Sequence, residues 1–353
     1  MSYEIERLPR FLEIKETYTI DAFLGQGAFG AVYKVRHKYL GIQAIKIFHP
    51  GSISMDQEAE LFNEAFILSK IAQENVVRVF EANSFRYDSR RFNYIATEFV
   101  NGPNLAQYID NKVRLSINEA LNLQKDICRG LAQAHKMTPP VVHRDIKPNN
   151  ILLLIQEGKF CAKVGDFGLA RHVDSETKLI TAGGTLAYMP PEAFWNYESP
   201  ASDVFSAGIV FYMMLTGVPP YVMPEETYTQ KAVAEAAIKA SRSKMPPPPS
   251  NFNKDLDKEI DAIVLKALAV DMKDRYQDAG SFLEALVEYE ENSSKGINGA
   301  INQAMSLGKQ YATLSKAVEI LEEVISKQAS GKKSELLSKY GPILSGWKKG
   351  IMM

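Results

Sequence analysis

Cysteine is scarce: Cys128 and Cys161 are the only two in 353 residues, and each lies inside an apolar segment. That excludes a disulfide framework and fits a reducing compartment with thiols in the core. No charge of one sign dominates, since 41 basic residues stand against 42 acidic ones for a net charge of −1. A balance of this kind gives no support to a nucleic-acid partner or a strongly acidic substrate. Long apolar runs are missing too. Nothing nears the roughly 18 uninterrupted apolar residues of a transmembrane helix, and the opening M-S-Y-E-I-E-R-L-P-R carries no apolar signal segment. The expectation is a soluble, cytoplasmic protein. With 46% hydrophobic residues, the chain can build one large domain or two ordinary ones.

What is present is concentrated chemistry. Val142–Leu153 reads V-H-R-D-I-K-P-N-N-I-L-L, a short polar loop between apolar runs. Asp145 can orient a hydroxyl and accept its proton, Lys147 can neutralise a moving phosphate, and Asn150 can hold a divalent cation. A lone H-x-D is common in polar turns, whereas seven matched positions together are specific. Upstream, Gly25-Gln26-Gly27-Ala28-Phe29-Gly30 joins two stretches of alternating apolar residues. Glycines there let backbone N–H groups approach a polyphosphate. A dinucleotide-binding loop would open a helix at this point. Here Ala31–Val35 reads as a second strand, which makes the loop a lid. Lys46 sits in the strand I-Q-A-I-K-I-F, where an unpaired ammonium would be costly. Glu64, on a helix expected from Asp56 to about Ala72, is its best partner, with Glu60 one turn earlier as the alternative.

Farther on comes K-V-G-D-F-G-L-A, with Asp166 about twenty residues past Asp145, and then T-A-G-G-T-L-A-Y-M-P-P-E. Together these segments resemble the eukaryotic-like (Hanks-type) serine/threonine protein kinases, with a soft likeness to bacterial members. The resemblance covers about Tyr18 to Tyr289. It implies an α+β, two-lobed kinase fold with a small β-rich N-lobe (18–98) and a larger helical C-lobe (101–290). Residues 1–17 would be a lead-in. The activity implied is transfer of the γ-phosphate of ATP to Ser or Thr hydroxyls of protein substrates, with Mg²⁺, or Mn²⁺ as the alternative.

Residue by residue, the resemblance makes Asp145, Lys147, Lys46 and Glu64 the catalytic set and Asn150 and Asp166 the metal ligands. Leu24, Gly25, Gly27, Gly30, Val32, Ala44, Lys46, Glu98, Val100 and Leu152 would form the ATP site, with Thr97 as gatekeeper. Thr185 would contact the substrate and the catalytic residues. Glu192, in Pro190-Pro191-Glu192 where A-P-E is usual, would pair with Arg275, and Asp203 would brace the H-R-D backbone. Arg144 and Arg171 would receive an activating phosphate on Thr181, with Thr177 and Ser175 as alternatives. A pseudokinase scaffold usually lacks one of Lys46, Asp145 and Asp166. A small-molecule phosphotransferase would not need the Thr185–Glu192 segment.

The remaining expectations are structural. Ser116-Ile117-Asn118-Glu119 reads as a capping box opening a helix to about Lys136. The stretch from Asp203 to Gly217 is apolar nearly all round, the mark of a buried helix. Pro246–Pro249 is a stiff linker. E-N-S-S-K-G at 291–296 reads as a break before a helical extension, 295–353, that resembles no known family. Its stripe Tyr311, Leu314, Val318, Leu321, Ile325 is amphipathic. A second stripe, Leu337 to Ile351, is interrupted by Gly341-Pro342. Lysines 327, 332, 333, 339, 348 and 349 accompany it. The extension is expected to be a helical hairpin packed on the kinase domain or on itself. A self-association or regulatory module, or a contact with an anionic surface, is the alternative.

Overall fold

The alternating apolar pattern that begins before Tyr18 folds into an antiparallel sheet of six strands: β1 (Glu13–Ile14), β2 (Tyr18–Gly27), β3 (Gly30–His37), β4 (Gly41–Phe48), β5 (Val79–Tyr87) and β6 (Arg90–Glu98), ordered β1-β2-β3-β4-β6-β5. The computed structural model describes residues 7–27, 30–50, 55–167, 187–195, 197–221, 236, 240–309, 313–328 and 330–351. The lead-in is not separate from the sheet. Glu13 pairs with Thr19, and Ile14 and Leu8 are buried against the same core. Helix α1 (Met55–Ser69) packs on β5, with Leu61 and Ala65 buried against Phe48 and Ile95.

Past residues 99–104 the chain becomes helical. Asn104 caps α2 (Leu105–Asp110) in a reciprocal capping box with Gln107. Ser116 caps α3 (Ile117–His135) by accepting from the Glu119 N–H at 3.3 Å. The expected box is only half made, because the Glu119 carboxylate accepts from Tyr108 and Lys112 instead of reaching back. The hairpin β7 (Ile151–Gln156) and β8 (Lys159–Val164) follows, and β8 delivers Gly165, Asp166 and Phe167 to the face between the lobes. Helix α4 (Pro200–Thr216) is buried throughout except at Pro200 and Met213, as its uniformly apolar sequence demands. Against it pack α3, α5 (Lys258–Ala267) and the first turns of α6 (Ala279–Leu307). No helix among the described residues is long and apolar enough to cross a membrane.

The C-terminal extension differs from expectation in two places. Helix α6 runs on through 291–296 without a break. Helix α8 (Ser330–Ile351) continues through Gly341-Pro342. Gly costs about 1 kcal/mol and Pro about 3 kcal/mol in a helix interior. Both costs are offset by tertiary burial. Ile301 and Ala304 of α6, Leu321 and Ile325 of α7 (Leu314–Ser326) and Leu336 of α8 form a separate core, with Tyr340, Leu344 and Trp347 packed on it. Trp347 lies so close to Gly308 that a Cβ there would be 2.1 Å from its ring. The amphipathic stripe of α7 is therefore covered by the chain's own helices: Leu314, Val318, Leu321 and Ile325 are all buried, and Tyr311 lies outside the described residues. Three of the lysines meet acids of the same unit, Lys327 with Glu323, Lys332 with Glu335 and Lys348 with Glu322.

Leu321→Ala is expected to cost this unit about 2–5 kcal/mol. Hydrogen exchange should show faster exchange in α7 and α8 with β3 and β4 unchanged, and uniform loss of protection would contradict a separate core.

Candidate active site

Between the sheet and the helices lies a cavity of about 580 Å³. Leu24, Gly25, Val32 and Ala44 line it from the sheet. Val100, Asn104 and Leu152 line it from the connector and β7, and Lys46, Asn150 and Asp166 lie at its polar end. Register explains the placement. Val32 faces Lys46 across β3–β4, and Ala44 faces Thr97 across β4–β6, so small and branched apolar groups alternate over one face of the sheet. The connector is pressed against β7: a Cβ on Gly102 would lie 1.9 Å from the Leu153 carbonyl oxygen, which leaves room for glycine alone. Gly27 and Gly30 do not line the cavity. Gly30 is required for another reason, since a Cβ there would sit 2.1 Å from the Ile47 carbonyl oxygen. Ala28 and Phe29 lie outside the described residues.

Five polar side chains from three segments gather at the inner end: Lys46, Asn150 and Asp166 line the cavity, and Asp145 and Lys147 are joined to it through Asn150. Lys46 Nζ donates to Asp166 Oδ2 at 2.8 Å. Lys147 Nζ donates to both carboxylate oxygens of Asp145, at 2.9 and 2.7 Å. Asn150 Nδ2 donates to the Asp145 backbone oxygen at 2.8 Å and to Asp145 Oδ2 at 2.9 Å. Its nitrogen is thereby occupied, and its oxygen is left as the group to offer a hard cation. Asn150 and Asp166 together make a sparse oxygen set. That suits a metal whose other ligands are water and phosphate. The Asp166 side chain remains 44% exposed to the cleft. Crowding under the sheet raises its pKa, but the Lys46 charge and hydrogen bond prevail and hold it below the usual carboxylate range. Asp166 also has a positive φ of 57°, and Arg144 one of 70°. Non-glycine residues in that region are held there by their surroundings.

The surroundings are a buried carboxylate. Asp203, 1% exposed at the start of α4, accepts from the backbone N–H of His143 at 2.7 Å and of Arg144 at 2.9 Å. His135 Nε2 is 3.0 Å from the same carboxylate, while the Ala279 N–H donates to His135 Nδ1 at 3.2 Å. An accepting Nδ1 fixes the neutral tautomer with Nε2–H pointing at Asp203. His143 follows the same logic: the Asp145 N–H donates to its Nδ1 at 3.2 Å, so its Nε2–H donates to the Gly165 carbonyl at 2.8 Å. One imidazole thus ties the Asp145 loop to the residue before Asp166, and its ring packs 4.4 Å from that of Phe167. Burial would raise the pKa of Asp203, but the His135 bond and the two backbone donors keep it below the usual range.

Lys46 makes its ion pair with Asp166, and the expected pair with Glu64 is not seen among the described contacts. Glu64 stands half-buried on α1. Arg144, expected to await a phosphate, is paired with Glu198. Glu98 N–H donates to the Arg78 carbonyl at 2.9 Å, and its carboxylate meets Lys163 Nζ at 3.0 Å. Lys163 was missed at the level of sequence, although a lysine in the apolar strand F-C-A-K-V gives the same signal that singled out Lys46. Glu192 and Arg275 form a two-pronged buried pair at 2.7 and 2.9 Å, braced by Ser202 Oγ at 2.8 Å. Gly168, Arg171, Ser175, Thr177, Thr181 and Thr185 lie outside the described residues.

Comparison with known proteins agrees with this geometry. The protein kinase domain family matches residues 18–287. The chain is 30% identical over 287 residues to a probable serine/threonine-protein kinase of Clostridium perfringens, covering 80% of this chain and 39% of that protein. It is 30% identical over 291 residues to the probable serine/threonine-protein kinase PknB of Corynebacterium glutamicum, covering 79% and 43%. Myosin light chain kinase A of Dictyostelium discoideum is 29% identical over 266 residues, 74% of this chain and 85% of that one. Among solved structures, the Mycobacterium tuberculosis PknI kinase domain superposes with a TM-score of 0.60 at 23% identity, over 80% of this chain and 99% of that domain. The chain belongs to the protein kinase domain family and has its two-lobed fold. It spans about two fifths of the length of the bacterial relatives named above.

Asp203→Ala strands two backbone N–H groups and an imidazole, and is expected to cost about 3–5 kcal/mol. A carboxyl whose folded pKa is depressed stabilises fully above its unfolded value, near 3.9. That contribution disappears as pH falls through the folded value. Urea midpoints of wild type and Asp203→Asn should therefore converge on acidification below about pH 4. A gap constant with pH would contradict the charge assignment.

Proposed function

We propose that the chain is an ATP- and Mg²⁺-dependent protein serine/threonine kinase working in the cytoplasm on protein substrates. The observation that carries the reading is that Lys46, Asn150 and Asp166 line one cavity and that Asp145 is hydrogen-bonded to Asn150 beside it. Each residue type is the one phosphoryl transfer requires there. Leu24, Val32, Ala44 and Leu152 would bury the adenine, and the backbone at Glu98 and Val100 would bond its edge. Lys46 would exchange part of its contact with Asp166 for the nucleotide phosphates, and Glu64 would support it from α1. Asn150 and Asp166 would hold the metal, whose chemistry is neutralisation of phosphate charge. Asp145 orients the acceptor hydroxyl and takes its proton, while Lys147, already on the Asp145 carboxylate, stabilises the equatorial oxygens. Little covalent chemistry is asked of the protein, so placement and charge supply most of the acceleration. Self-modification on Thr181, Thr177 or Ser175 would place a phosphate near Arg144 and Arg171, displacing Glu198 from Arg144. The boundaries 18–290 for the kinase domain and 295–353 for the extension fit this reading. Helix α6 runs from the one into the other.

Incubation with labelled ATP and a generic acceptor protein should label phosphoserine or phosphothreonine. Asp145→Asn should lower turnover about 10²–10⁴-fold, or about 3–5 kcal/mol, with nucleotide binding kept. Asp166→Ala should instead weaken metal-dependent nucleotide use. Near-normal turnover by Asp145→Asn would refute the assignment.

A further inference from the structure

Arg242 is one of the largest fully buried side chains of the molecule, at 1% exposure, and among the described residues no carboxylate pairs with it. A buried guanidinium without an anion is costly unless its donors are filled. Here two backbone carbonyls and a serine hydroxyl accept from it. Nη2 donates to the Ala187 carbonyl at 2.5 Å and Nε to the Met189 carbonyl at 3.5 Å, while Nη1 reaches Ser241 Oγ at 3.4 Å. The flat face of the group lies 3.9 Å over the ring of Tyr221. Burial lowers its pKa to about 10, so it stays charged at neutral pH. Between the two carbonyls, that of Tyr188 accepts from Ser206 Oγ of α4 at 2.8 Å.

Three successive carbonyls, 187 to 189, are thus held by side chains of the C-lobe interior. Just beyond them the buried Glu192–Arg275 pair fixes the other end of the segment. A turn held at three successive carbonyls has little freedom to rotate its peptide planes. This stretch directly follows Thr185 and precedes Glu192, in the segment that the kinase reading assigns to the peptide substrate.

We propose that Arg242 is a positioning residue for protein-substrate binding: it holds the backbone of Ala187–Met189 in register, so that the acceptor segment docks without first ordering its platform. The inference rests on the kinase reading and adds a residue from outside the catalytic set. A lysine would replace the planar, preorganised fork with an ammonium whose three donors diverge from one atom, and so would hold the two carbonyls less firmly. Serine 206 shares the task through the carbonyl between them.

The test is steady-state phosphorylation of a generic acceptor protein by the full chain and by Arg242→Met, Arg242→Lys and Ser206→Ala. Arg242→Met should raise KM for the acceptor about tenfold or more, and Arg242→Lys should fall between it and wild type. Ser206→Ala should raise the same constant by a few-fold, with KM for ATP within about twofold of wild type in all three. Circular dichroism melts establish that each variant is folded. Should Arg242→Met unfold, Arg242→Lys and Ser206→Ala decide the matter alone. An unchanged acceptor KM in folded variants, or equal loss for acceptor and ATP, would overturn the proposal. No transfer by wild type, with nucleotide still bound, would instead remove the kinase reading, and this inference with it.

Discussion

Much of this molecule hangs on one buried negative charge. Asp203 lies where α3, α4, α6 and the catalytic loop meet, and each contributes a donor or a brace to it. A carboxylate that deep is unfavourable by itself. Two backbone N–H groups and a neutral imidazole compensate it, and in doing so they fix the backbone at Arg144 in a conformation the chain would not choose. That conformation turns Asp145 toward Asn150 and Lys147. The His143 ring passes the same constraint to Gly165, and so to Asp166. The geometry of the cleft follows from the satisfaction of one hydrogen-bond set rather than from many independent contacts.

Around that point the lobes differ in how they hold the site. The sheet offers a wall whose register sets Val32, Ala44 and Lys46 on adjacent strands. The helical lobe offers a fixed floor, because α4 is enclosed on all sides. Lys46–Asp166 and Glu98–Lys163 are ion pairs between them, beside the backbone bonds of Val164 N–H to the Asn75 carbonyl and Val77 N–H to the Val164 carbonyl. Their use is to set distance and orientation while leaving the lobes free to adjust to a ligand.

The candidate catalytic residues were legible in the sequence because chemistry restricts residue type at each position. His-Arg-Asp, Lys147, Asn150 and Asp-Phe at 166–167 admit few alternatives. Helix α4 was legible for the opposite reason: nothing polar interrupts it. What local pattern could not show was tertiary override. Glycines and a proline predicted ends for α6 and α8, and the packing of Ile301, Leu321 and Trp347 carried both helices through. Gly30 was read as a phosphate glycine, and close approach to Ile47 gives the position a further reason to be glycine that no motif shows. Glu64, Glu119 and Arg144 have partners that depend on which long side chain arrives first in three dimensions, and no spacing rule supplies that. His135 and Arg242 gave no motif at all, since their roles consist of bonds to backbone atoms.

The central claim is that Lys46, Asp145, Asn150 and Asp166 form one phosphoryl-transfer centre held in place through Asp203. A crystal structure with Mg²⁺ and a non-hydrolysable ATP analogue tests it most directly. The account predicts adenine between Val32, Ala44 and Leu152, the metal coordinated by Asn150 and Asp166, Lys46 on the phosphates, and Asp145 facing the terminal phosphate. A nucleotide bound elsewhere, or a metal in this cleft that neither Asn150 nor Asp166 touches, would contradict it.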